Sequence, residues 1–181
     1  MSTGTITTTS TAPTYDQGCI DALVEQERLL RYERFGSTEA FELGAATVAL
    51  APEYNRGFSV TITRESDGLV LFSWSADDKA PRNVRFMEGK RLAAKGCGHA
   101  SLYAYVEHAM NGAHEPWFDE TTPEVPAGGA FPLRAGNDWV ATISVSGLHE
   151  GQDHEVAVRA LCATLGLAYG TDAPVFPGVP V

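Results

Sequence analysis

The chain has 181 residues, 44% of them hydrophobic and 20% charged, enough for one ordinary core and short for two. Its net charge of −10 and pI of about 4.8 argue against a nucleic-acid or anionic-membrane partner, which would repel it. Three widely spaced cysteines (Cys19, Cys97 and Cys162) with no CxxC, and no apolar run of the roughly 18 residues a span needs, predict free thiols, a reducing compartment and no membrane span.

Residues 1–14 include nine Ser or Thr and neither a basic start nor an apolar stretch. This predicts a disordered tail rather than a signal peptide, and hence a cytoplasmic protein. Residues 15–169 read as one domain. Residues 16–31 carry Ile20, Leu23, Val24 and Leu30 in a helical pattern, with 29–35 able to turn extended. Residues 37–51 are predicted as a second helix, capped by Ser37 or Thr38, with a buried stripe of Ala40, Leu43, Gly44, Thr47 and Leu50.

A hairpin follows. Phe58, Val60 and Ile62 alternate with Ser59, Thr61 and Thr63, the pattern of a half-buried strand, and Asp67-Gly68 turns the chain into a strand at 69–75. Residues 82–95 read as helix after Pro81, Gly96 and Gly98 break it, and residues 99–111 read as helix again. Residues 112–127 read as a surface loop. Strands at 130–134 and 139–146 are joined by Gly136-Asn137-Asp138, and a last helix covers 152–165. Residues 170–181 hold three prolines and are predicted to be extended. Two hairpins with helices between and around them predict an α/β (α+β) domain built on a mainly antiparallel sheet, its faces covered by helices.

Several short motifs carry chemistry in other settings. Gly96-Cys97-Gly98-His99-Ala100-Ser101 lacks the preceding strand and the third glycine of a dinucleotide fingerprint, so a helix–helix joint is the preferred reading. His149, Glu150, Asp153 and His154 are close in sequence, but Asp153 and His154 are neighbours on a helix and face different ways, so no metal centre is predicted. Asp153 suits a helix N-terminal carboxylate that accepts backbone N–H groups. His99 lies three, four and seven residues before Leu102, Tyr103 and Val106, on an apolar helix face. It is a candidate haem ligand or acid–base group as well as a candidate core histidine. Cys97 could offer a thiolate beside it. Arg85 and Lys90, in a basic run with Arg82, Arg91 and Lys95, are candidates to pair with a ligand carboxylate or to form an exposed basic face.

Longer segments resemble a known family. Residues 35–44 look like its first-helix motif. Asn83, Phe86 and Lys90 match its Asn–Trp–Lys pattern, and Gly98-His99-Ala100-Ser101 its following junction. Gly128-Gly129-Ala130-Phe131-Pro132 matches its Gly-Gly-x-Phe-Pro strand, residues 140–148 its terminal strand, and Gln152-Asp153-His154-Glu155 the start of its last helix. In order and spacing the chain resembles the haem-degrading-domain family of the GlcG/HbpS type. The resemblance implies a profilin-like layered fold with a five-stranded sheet, a homo-oligomer, and a small-molecule ligand, haem among the candidates, near the helix and the Gly-Gly strand. It also implies kinship with a fungal factor for tail-anchored protein delivery. Ala127 and Phe86 stand where the family generally has His and Trp.

The expected ligand-binding set is therefore Arg85, Phe86, Lys90, His99, Gly128 and Gly129, with His99 the haem-ligand candidate. An alternative is an enzyme needing no metal or nucleotide, an isomerase, lyase or cyclase, with acid–base work on His99, Asp153, His154 and Lys90. A further alternative is a scaffold or chaperone-associated module without chemistry.

Overall fold

The computed structural model describes residues 14–112, 121–149 and 151–178. The Ser/Thr-rich segment up to residue 13, half of the 112–127 loop and residues 179–181 lie outside them. The elements run α1 (Gln17–Leu29), β1 (Arg31–Tyr32), α2 (Ser37–Ala49), β2 (Ser59–Arg64), β3 (Val70–Ser75), α3 (Arg82–Cys97), α4 (Ser101–Met110), β4 (Ala130–Ala135), β5 (Asp138–Ser146) and α5 (Gln152–Leu165). Five strands form one sheet in the order β1-β4-β5-β2-β3. All pairs are antiparallel except β1 with β4. The expected α+β architecture is present, with one parallel pair at an edge.

Strand alternation divides the sheet into two chemically different faces. Phe58, Val60, Ile62, Phe131, Leu133, Ile143 and Val145 join the main core with Leu43 of α2 and Val156, Ala160 and Leu161 of α5. The opposite face is small and hydroxylated, and it too is covered. Ser59, Thr63, Thr142, Ser144 and Ser146 are each at most 7% exposed, because α3 lies across them. The half-buried strand expected at β2 is in fact buried on both faces.

That cover explains the composition of α3. Its buried stripe is Asn83, Met87, Lys90 and Ala94, spaced as one helical face but with two polar members. Asn83 Nδ2 donates to Ser146 Oγ at 3.3 Å. On the outer flank of the helix, Arg91 and Lys95 both reach Glu65 at 2.8 Å, and Thr142 Oγ1 donates to the same carboxylate at 2.6 Å. The basic run therefore splits, part inward, part toward Glu65.

Caps and joints fix the remaining directions. Asp16 Oδ1 accepts the Cys19 N–H at 3.2 Å and starts α1. The α2 cap falls at Gly36 rather than at Ser37 or Thr38, since the Glu39 carboxylate takes the Gly36 N–H at 2.8 Å. Gly98, at φ 78°, ends α3 and sends its N–H to Ala94 O at 2.9 Å, so the Gly-Cys-Gly-His run is the helix–helix joint that its composition predicted. The Pro-rich end turns back on its own domain. Gln26 Nε2 donates to Pro174 O at 2.8 Å, and Phe176 is buried among Cys19, Leu23, Leu102 and Val106.

Candidate anion-binding cleft

A cleft of about 520 Å³ opens where the N-terminal half of α3 meets the end of β5 and the start of α5. Its lining includes Arg56, Lys79, Arg82, Asn83, Phe86 and Lys90 on one side, and Ala127, Ser146, Leu148, His149 and Asp153 on the other. A second hollow of about 360 Å³ adjoins it, bounded by Tyr15, Leu102, Tyr105, Gly128, Gly151 and Phe176. Lys90, Ala127, Leu148, His149 and Asp153 belong to both and form the shared wall.

Lys90 and Asp153 hold the centre of that wall. Lys90 Nζ lies 2.7 Å from Asp153 Oδ2 and 3.0 Å from the Val145 carbonyl, and both side chains are under 10% exposed. Asp153 also accepts the Leu148 N–H at 3.0 Å and the Gly147 N–H at 3.4 Å. This is the backbone-accepting role expected of it, played to the β5–α5 corner rather than to its own helix. Backbone geometry makes room for the pair. Gly129 sits at φ 134°, and a Cβ there would fall 2.3 Å from Val145 O and 2.9 Å from Lys90 Nζ. Glycine is required at this point of the Gly-Gly pair.

Charge in the cleft runs against the charge of the chain. Four cations (Arg56, Lys79, Arg82, Lys90) face two carboxylates (Asp78, Asp153) in the lining of a protein that carries −10 overall. Lys79 pairs with Asp78 at 3.2 Å and Lys90 with Asp153. Arg56 and Arg82 have no carboxylate partner among the described residues; Arg56 instead meets the imidazole of His149. Guanidiniums in such a lining are suited to a carboxylate or another anion.

The other expected site residues fall elsewhere. His99 precedes α4 instead of lying on it, because Glu27 takes both the Ala100 N–H at 2.7 Å and His99 Nδ1 at 3.2 Å. That clamp turns the ring away from the cleft, where it stacks on Tyr103 at 4.2 Å. Burial pushes the neighbouring Cys97 thiol up, which disfavours a thiolate. His154, next to Asp153 on α5, is fully buried and lies outside the lining of both hollows. Arg85 is exposed and outside the cleft lining, and Arg82, one turn earlier, takes the place expected of it. The four-residue acid–base set is not assembled: Lys90 and Asp153 meet, His99 and His154 do not join them. Phe86 and Gly128 do line the two hollows. Arg56, Lys79 and His149 lie outside the expected ligand-binding set, since single loop residues carry no periodicity that would mark them.

His154 has a structural role with a measurable consequence. Gln26 uses its amide N–H on Pro174, so its Oε1 accepts from His154 Nε2 at 2.8 Å, which leaves Nδ1 bare and without a partner among the described residues. Burial holds this imidazole neutral and pushes its pKa down to about 3 from an ordinary 6.5. Between those pH values the unfolded chain binds a proton that the folded chain refuses. Its contribution is therefore intact above pH 6.5 and falls by about 1.4 kcal/mol per pH unit below it. Urea midpoints from pH 7 to 4 should show a shallower acid loss in His154→Gln than in the parent; parallel curves would contradict this.

Comparison with known proteins agrees with the fold and with the family that the chain resembles. Residues 35–162 match the family described as haem degrading protein HbpS-like. A UPF0303 protein of Streptomyces coelicolor is 34% identical over 163 residues, covering 87% of this chain and 99% of that one. One from Acidobacterium capsulatum is 30% identical over 156 residues, covering 84% and 93%. Among solved structures, Ybr137w superposes with a TM-score of 0.71 at 22% identity, covering 81% of this chain and 89% of that one. A PduOC–heme complex gives 0.59 at 19% identity, covering 71% and 94%. At such identities the structures show a shared fold. These similarities place the chain in the HbpS-like family of haem-degrading proteins.

Proposed function

We propose that the chain binds a small anionic molecule with an apolar body in the α3–β5–α5 cleft, and that haem is the first ligand to test. The observation that carries this reading is the pair of guanidiniums, Arg56 and Arg82, without carboxylate partners among the described residues and beside Phe86, Val125 and Leu148. Family membership, and the heme complex of a structural neighbour, favour a tetrapyrrole.

The residues fit the two parts of haem unequally. Arg56 and Arg82 suit its carboxylates, and Phe86 with Val125 suits its ring face. For the iron the lining offers one imidazole, His149, already engaged by Arg56. Bound haem would supply an iron centre for redox or oxygen chemistry. The chain's own part is to hold the carboxylates and shield the ring.

Titration with haemin, followed by the Soret band, tests this. Each guanidinium makes a charge-assisted contact of about 1.5–3 kcal/mol, so Arg56→Ala and Arg82→Ala should each weaken binding about tenfold or more. His149→Ala should alter the band, and His99→Ala should leave affinity and spectrum unchanged. Loss of binding in His99→Ala, or none in the arginine variants, overturns the reading.

We extend the proposal to a homo-oligomer. β3 is an outer strand of the sheet, Val70 at its start is about half exposed, and Phe41 of α2 is 66% exposed, edge-on to Phe72. Light scattering should give a multiple of the 19.4 kDa chain mass that falls in Phe41→Glu. A monomeric parent protein contradicts it.

A further inference from the structure

Lys90 carries the further inference, which rests on the anion-binding reading of the cleft. An ammonium has three N–H donors. Two are used, on Asp153 Oδ2 and on Val145 O, and the third has no acceptor among the described residues. Lys90 also lines both hollows, so that donor stands on the wall between them. Arg82 and Lys90 are eight residues apart on α3, a rise of about 12 Å. Phe86 lies between them in the same lining.

The two ends differ in charge. Arg82 and Arg56 have no carboxylate partner among the described residues and suit a carboxylate. Lys90 is neutralised by Asp153 at 2.7 Å. A second carboxylate brought to Lys90 would sit against the Asp153 carboxylate in a buried place, which is costly. A neutral oxygen, a carbonyl or lactam, would accept the free N–H without that repulsion.

We propose that Lys90 is a specificity-determining donor, and that the ligand is an elongated molecule held at both ends: carboxylate at Arg56 and Arg82, apolar body over Phe86, and an uncharged carbonyl-type oxygen at Lys90. A closed porphyrin presents only hydrocarbon on the edge opposite its carboxylates. An open-chain tetrapyrrole presents lactam oxygens there. Asp153 acts as the positioning residue that aims the ammonium.

The test compares two probes on the full chain, haemin and biliverdin, by absorbance titration. Biliverdin should bind at least tenfold more tightly. Lys90→Met, and the charge-neutral pair Lys90→Met/Asp153→Asn where the single variant fails to fold, should abolish that preference. Haemin binding as tightly as biliverdin, or a preference that survives the double variant, overturns the role of Lys90 and leaves the cleft reading standing. Neither probe binding overturns both.

Discussion

Replacing Lys90 with Met should destabilise the chain by roughly 3–5 kcal/mol, the cost of leaving a buried carboxylate without its counter-charge. Asp153 would keep two backbone N–H donors, from Gly147 and Leu148, and lose the ammonium at 2.7 Å. In a chain of this length the melting temperature should fall on the order of 10 °C. Adding Asp153→Asn should restore more than half of the loss, because the orphaned charge is then gone and the amide can still accept from the Leu148 N–H. Thermal melts of the single and double variants form a double-mutant cycle. Purely additive losses would mean that the ion pair is not what joins α3 to the β5–α5 corner.

Gly129→Ala should cost about 4 kcal/mol, while Gly128→Ala next to it should cost less than about 1 kcal/mol. At Gly129 the chain runs at φ 134°, and the new methyl would meet the Val145 carbonyl at 2.3 Å, a backbone atom that cannot swing aside. It would also press on Lys90 Nζ at 2.9 Å, so ligand binding should suffer with stability. At Gly128 the nearest obstacle is Leu102 Cδ1 at 3.2 Å, the end of a flexible side chain. Urea unfolding of the two variants separates them; equal losses would contradict the geometry.

The contrast between these glycines shows what the sequence could and could not reveal. The Gly-Gly pair was legible as a special place, but only the fold tells which member is crowded. Local signals read well. The Asp67-Gly68 hairpin formed, and α5 runs over Gln152–Leu165 as its periodicity predicted. Non-local pairings did not. β1 has two residues, and its partner is Arg134-Ala135, a hundred positions away, so nothing nearby marks its parallel register. Lys90 could be read from the sequence as a ligand partner or as part of an exposed basic face, and its neighbours in the chain do not decide between them. It is buried because the sheet face beneath α3 is made of Ser and Thr and leaves room for a polar helix stripe. His99 lies outside the cleft for a non-local reason too. Its spacing marks an apolar helix face, but Gly98 stops the helix, and Glu27, seventy residues away, captures the ring.

On the proposed function, ligand enters the cleft between α3, β5 and α5, not the His99 region. Backbone NMR shifts during titration with a diamagnetic probe, biliverdin or a zinc porphyrin, test it most directly. Saturable shifts should cluster at Asn83, Phe86, Lys90, Gly128, Gly147 and Leu148, with Glu27, His99 and Ala100 unmoved. Shifts centred on Glu27 and His99, with the cleft silent, would contradict it.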